Sequence, residues 1–165
     1  MTSMVDGTSL REVNLGRYVT GQTSTITADA TYQVFTVAGG EVLITALWGK
    51  VTTAITDAGE DIALQMDPTT GTTVQLTQNS GDIGTGGVAA GDLITFSEDN
   101  DGASAPGILT GVTAAKGSGP LRFVATTGEI ELVVGAGTGS EDGVIAWYCT
   151  YVPLTVGATV AAATT

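Results

Sequence analysis

The chain has no histidine, one cysteine, five basic residues and no apolar run long enough to span a bilayer among its 165 residues. Each shortage removes a class of chemistry. Without an imidazole, serine–histidine triads, cysteine–histidine dyads and most zinc or copper sites cannot be built, so the chain reads as a protein without enzymatic function. Cys149 alone supports neither an internal disulfide nor a multi-cysteine zinc site, and it reads as a small buried hydrophobe. Arg11, Arg17, Lys50, Lys116 and Arg122 are scattered against seventeen acidic residues, for a formal net charge of -12. Phosphate backbones and anionic lipid surfaces are repelled by that balance, so no nucleic acid and no membrane is expected as a partner. The first residues, MTSMVDGTSLREVNLG, show neither a basic leader nor an apolar segment with a cleavage site, and the expectation is folding in a host cytoplasm.

What is abundant is short runs of Val, Ile, Thr and aromatics, broken by Gly, Asp, Asn and Pro at intervals of roughly 8 to 12 residues, the pattern of a sandwich or barrel. With 42% hydrophobic and only 13% charged residues, the chain is too apolar to stay disordered. The expected fold is all-β: an antiparallel β-sandwich or jelly-roll-like domain over 17–156, with an extended N-terminal arm, 1–16, and a C-terminal tail, 157–165. Strands are predicted over 17–20, 24–28, 31–37, 41–56, 62–66, 72–78, 92–97, 107–112, 121–126, 129–134 and 143–153, and no segment has the spacing and caps of an amphipathic helix. Two hairpins are expected, in IALQMDPTTGTTVQLTQ and in LRFVATTGEIELVV around Thr127 and Gly128. NSGDIGTGGVAAGD between them reads as a long loop.

Several motifs invite a functional reading and fail it. Gly84, Gly86 and Ala89 have a dinucleotide-like spacing without the strand and helix that would aim amides at a pyrophosphate. Lys116, ahead of Gly117 and Ser118, lacks the earlier glycine of a phosphate-binding loop. Asp99 and Asp101 in SEDNDG match part of a calcium loop, but position twelve of that register is Ile108 instead of a glutamate; a solvated acidic turn is the default, as it is for Asp57, Glu60 and Asp61. Glu129 and Glu131 leave one face of a strand together, as a glycosidase pair would, yet the alternation with Ile130 and Leu132 is that of a solvent-facing sheet. No catalytic, cofactor-binding or metal site is assigned.

The strand VIAWYCTYV is apolar on both sides: Ile145, Trp147, Cys149 and Tyr151 share one face, Val144, Ala146, Tyr148 and Val152 the other. In EVLITALWG, Leu43 and Leu47 are expected on one face and Val42, Ile44, Ala46 and Trp48 on the other. A strand that meets one core should be polar on its second side. Contact with other chains is the simplest cover for these surfaces, which points to an obligate assembly.

The acidic, histidine-free β composition, the polar arm LREVNLGRYVTGQ and the closing segment GEIELVVGAGTGSEDGVIAWYCTYVPL resemble the small decoration, or cement, proteins on the capsids of tailed bacteriophages. The resemblance implies a structural virion protein on the outer capsid surface, a homo-oligomer, commonly a trimer, whose partner is the major capsid protein. It would stabilise the mature shell by multivalent clamping of neighbouring capsid subunits. In that scheme Leu10, Val13 and Leu15 are apolar pegs of an arm reaching to Tyr18, Arg11 and Arg17 pair with carboxylates of the shell, and the Trp147/Tyr151 face or the Tyr148 face forms the seam between copies. The alternatives are a head-fibre or tail-associated module that binds a host glycan, and another structural virion subunit.

Overall fold

The computed structural model describes residues 7, 12, 14–23, 25–56, 61–80, 83, 88–96, 108–112, 121–135 and 143–163, with backbone alone over 108–112. Eleven strands are named in chain order: β1 (Arg17–Gln22), β2 (Thr31–Ala38), β3 (Val42–Thr53), β4 (Ile62–Pro68), β5 (Val74–Gln75), β6 (Leu93–Phe96), β7 (Ile108–Val112), β8 (Phe123–Ala125), β9 (Gly128–Val134), β10 (Val144–Pro153) and β11 (Thr159–Ala162). They form two antiparallel sheets. The first has the order β1-β10-β3-β6-β7, with β8 sharing the β6 side of β3; the second has the order β11-β2-β9-β4-β5. Tracing β1-β10-β3-β8 in one sheet and β2-β9-β4-β5 in the other gives a jelly-roll-like order. The chain repeatedly crosses from sheet to sheet, and every strand pair joins residues distant in sequence except at the few hairpins.

The core lies between the sheets. Val34, Phe35 and Val37 from β2, Ile62 and Leu64 from β4, and Ile130 and Leu132 from β9 meet Ile44, Leu47, Ile145 and Trp147 from the first sheet, each at most 1% exposed. Such burial is what alternating apolar strands dictate when each sheet turns one side inward. Gly49 of β3 makes room for it. A Cβ there would lie 3.0 Å from Ile145 Cγ2, 3.1 Å from Trp147 Cζ3 and 3.2 Å from Ile94 Cβ. Gly49→Ala is therefore expected to destabilise the fold by about 1–3 kcal/mol through overpacking, read as a lower urea midpoint at unchanged slope. An unaltered midpoint would show that this contact has slack.

Most strands form where alternation predicts them, and the departures have local causes. Of the expected strand 24–28, the described residues 25–28 belong to no named strand. Their backbone is instead tied to one tyrosine, with Tyr32 Oη accepting from Thr27 N–H (2.6 Å) and donating to the Thr25 carbonyl (2.9 Å). The stretch 72–78 shrinks to the two residues of β5 because side chains take over the edge of β4: Thr77 Oγ1 accepts from Leu64 N–H (2.9 Å) and Ser80 Oγ from Ile62 N–H (3.0 Å). The hairpin in IALQMDPTTGTTVQLTQ is present as β4–β5. The one expected in LRFVATTGEIELVV is not: β8 pairs with β3 and β9 pairs with β2 and β4, so the Thr127–Gly128 corner carries the chain from one sheet to the other. A turn signal between two strands marks a reversal but not the partner of either strand.

The two ends also differ from extended arms. Glu12, Asn14 and Leu15 have helical backbone. That turn stops at Gly16, whose φ of 85° and N–H bond to the Glu12 carbonyl (3.0 Å) make the left-handed cap that ends helices and redirects the chain into β1. At the other end, Thr159–Ala162 of the expected tail is β11, paired with β2, with Ala158 and Val160 buried.

Candidate interaction surface

The outward sides of the two sheets differ in chemistry. On the second sheet, Asp67, Glu129 and Glu131 face out from β4 and β9. Thr36 Oγ1 donates to Glu129 Oε2 (2.9 Å), and Gln65 Nε2 donates to Glu131 Oε2 (2.7 Å), which leaves Glu131 8% exposed. The two carboxylates do share a face, but each is engaged by a different neutral neighbour, as on a polar sheet surface.

On the first sheet the outward side is apolar and aromatic. Tyr148 of β10 stands opposite Trp48 of β3, with ring centroids 4.1 Å apart and planes at 11°, and Tyr18 of β1 stacks on the far side of Tyr148 at 6.4 Å and 27°. Toward one end of the sheet, Val152, Leu43 and Val124 form a row across β10, β3 and β8. Between row and stack, the hydroxyls of Thr45 and Thr150 lie 2.8 Å apart. Leu15, Gly16, Tyr18 and Thr150 line a shallow concavity of about 300 Å³ beside the stack. Among the described residues, exposed large apolar side chains concentrate here: Leu15, Tyr18, Val124 and Val152 lie on or beside this side, Leu154 and Val156 follow in the turn beyond β10, and only Val74 belongs to the second sheet.

A bulge in β3 decides which side chains take part. Tyr151 pairs with Ile44 and Thr150 with Ala46, so Thr45 is an extra residue and the alternation changes phase across it. Val42 and Ile44 before the bulge and Leu47 and Val51 after it are all buried. Trp48 consequently faces outward, correcting the expectation that it shares a face with Val42 and Ile44. Lys50 held the signal for this: its ammonium must reach water, and Trp48, two residues earlier, shares its side.

The predicted interface residues divide accordingly. Tyr148, Tyr18 and Leu15 come together on the outward side of the first sheet, Tyr148 half-buried and the other two exposed. Trp147 and Tyr151 do not join them. At 0% and 5% exposure they face the second sheet inside the core, so of the two expected seams only the Tyr148 face lies on the outward side of its sheet among the described residues. Arg17 is exposed but belongs to the opposite side of β1 from Tyr18. Leu10, Arg11 and Val13 lie outside the described residues, as do Asp57, Glu60, Asp99, Asp101 and Lys116. Asp61 is described, and its Oδ2 accepts from Asn79 Nδ2 (2.5 Å). Among the described residues no three His, Cys, Asp or Glu side chains converge. No family model, no curated protein and no solved structure matches the chain.

Proposed function

We propose that this chain is a structural virion protein that binds the outside of a phage capsid and stabilises the mature shell by clamping neighbouring subunits of the major capsid protein. The observation that carries the reading is the apolar outward side of the first sheet, which a chain acting alone has no reason to leave open to water. The jelly-roll-like strand order adds support by analogy, since that arrangement recurs in viral capsid proteins. The strongly acidic balance keeps abundant copies from aggregating before assembly and away from packaged nucleic acid. Residues 1–16 would dock on the shell, and joining several such arms through one oligomer raises their effective concentration on a lattice of matching spacing.

The glycan-binding alternative is less well served by the same surface. Sugars stack on free ring faces, whereas Trp48 and Tyr148 turn faces toward each other at 4.1 Å and Tyr148 is flanked again by Tyr18.

Removing residues 1–13 takes away the Glu12 carbonyl that accepts from Gly16 N–H but leaves every residue of β1 in place. The truncated protein is expected to keep the mass and melting temperature of the full chain yet fail to co-sediment with expanded heads. Imaging of intact particles is expected to show the chain at fixed lattice positions outside the shell. Retained binding by the truncated form refutes the arm, and a location in the tail refutes the decoration role.

A further inference from the structure

We infer that the outward side of the first sheet is the seam between two copies of this chain, packed face to face with their strands antiparallel about a two-fold axis. The inference deepens the reading above by naming the surface that would make the protein multivalent, and it is tested with no shell present.

Charge selects the occupant. In a chain with seventeen acidic residues, the outward strand positions of β1, β10, β3 and β8 carry no carboxylate, and Lys50 is their single charged side chain. Two molecules of net charge -12 that meet through these strand positions bring none of the strands' own carboxylates face to face. A neutral surface offers nothing to a charged partner and fits another neutral apolar surface, of which this molecule supplies one.

The β3 row is also self-complementary. Val42 points into the core, so Glu41, just before the strand, lies on the outward side, and Lys50 lies on that side at the far end. The two are about 30 Å apart at about 3.3 Å per residue. A two-fold axis in the plane of the interface and across the strands lays β3 over its copy in reverse. Glu41 of each molecule then meets Lys50 of the other, and Trp48 of each meets the Leu43 end of the other. The strands β1, β10, β3 and β8 together span roughly 500 Å² per copy at spacings of about 4.8 Å and 3.3 Å, with the Leu15 carbonyl, which accepts from Thr45 Oγ1, resting on part of it. A pair therefore buries about 1,000 Å², at the lower bound of specific interfaces. The trimer implied by the resemblance needs a second, different patch on each copy; this side pairs with itself.

Light scattering and sedimentation equilibrium on the purified full chain test the pairing. The expected mass is that of two chains. Tyr148→Asp, placing a carboxylate in the centre of the seam, is expected to weaken association at least about a hundredfold. Glu41→Lys and Lys50→Glu are each expected to weaken it about tenfold, because each creates two like-charge pairs, and the double exchange is expected to restore it to within about threefold of the parent. The rescue does not depend on the fold of any one variant. A monomer at all concentrations, a mass of three chains, or single exchanges that the double exchange fails to rescue would each overturn the proposal.

Discussion

Replacing Trp147 by alanine is expected to cost about 3–5 kcal/mol, the range for emptying a fully buried aromatic site. That is a large part of the roughly 5–15 kcal/mol that holds an ordinary domain together. Trp147 is the largest side chain with no exposure, it lies at the centre of the longest strand pairing in the molecule, between β1 and β3, and Gly49 of β3 is shaped around its ring. Phenylalanine at the same position is expected to cost much less. The Trp147 Nε1 is buried with no hydrogen-bond partner among the described residues, so the change removes a donor whose burial costs about 1–3 kcal/mol. It offsets part of the lost volume. The two sites should also be coupled: Trp147 Cζ3 is one of the atoms a Cβ at Gly49 would crowd, so Gly49→Ala is expected to be milder in the Trp147→Phe background. Urea unfolding of the four proteins gives the cycle, and additive midpoints would show that the ring and the glycine do not share space.

Stability is expected to fall steeply at alkaline pH because of one thiol. Burial pushes Cys149 up from 9.0 to about 12, since the thiolate cannot be solvated inside the sandwich. Below pH 9 the thiol is neutral in both folded and unfolded chains and contributes no slope. Between pH 9 and pH 12 the unfolded chain releases its proton while the folded chain retains it. Unfolding is favoured there by about 1.4 kcal/mol per pH unit, with a total on the order of 4 kcal/mol. Cys149→Ala should flatten this part of the curve, so that the difference in unfolding free energy between parent and variant shrinks or reverses as pH rises. Equal slopes in the two proteins would mean that the thiol is solvated in the folded state. The same burial should make Cys149 react with thiol reagents only as fast as the chain opens.

Much of the fold was readable from alternation alone. Runs such as TYQVFTVA and GEIELVV specify strands with one apolar side whatever their partners, because side chains on a pleated backbone alternate with a period of two. The absence of histidine, the isolated Cys149 and the charge of -12 are likewise properties of the sequence alone. The two-faced apolar character of β10 was legible in VIAWYCTYV.

Tertiary structure decided what depends on neighbours. Strand order is one such property, since periodicity describes a strand and not its partner: β8 and β9 flank a good turn yet enter different sheets. Side assignment across an irregularity is another. One extra residue at Thr45 turned Trp48 outward and left Val42, Ile44, Leu47 and Val51 together in the core, a switch visible only in the register against β10. The same holds for Trp147 and Tyr148, adjacent and both aromatic: the packing of the second sheet buries the first, while the second lies half-buried on the outward side.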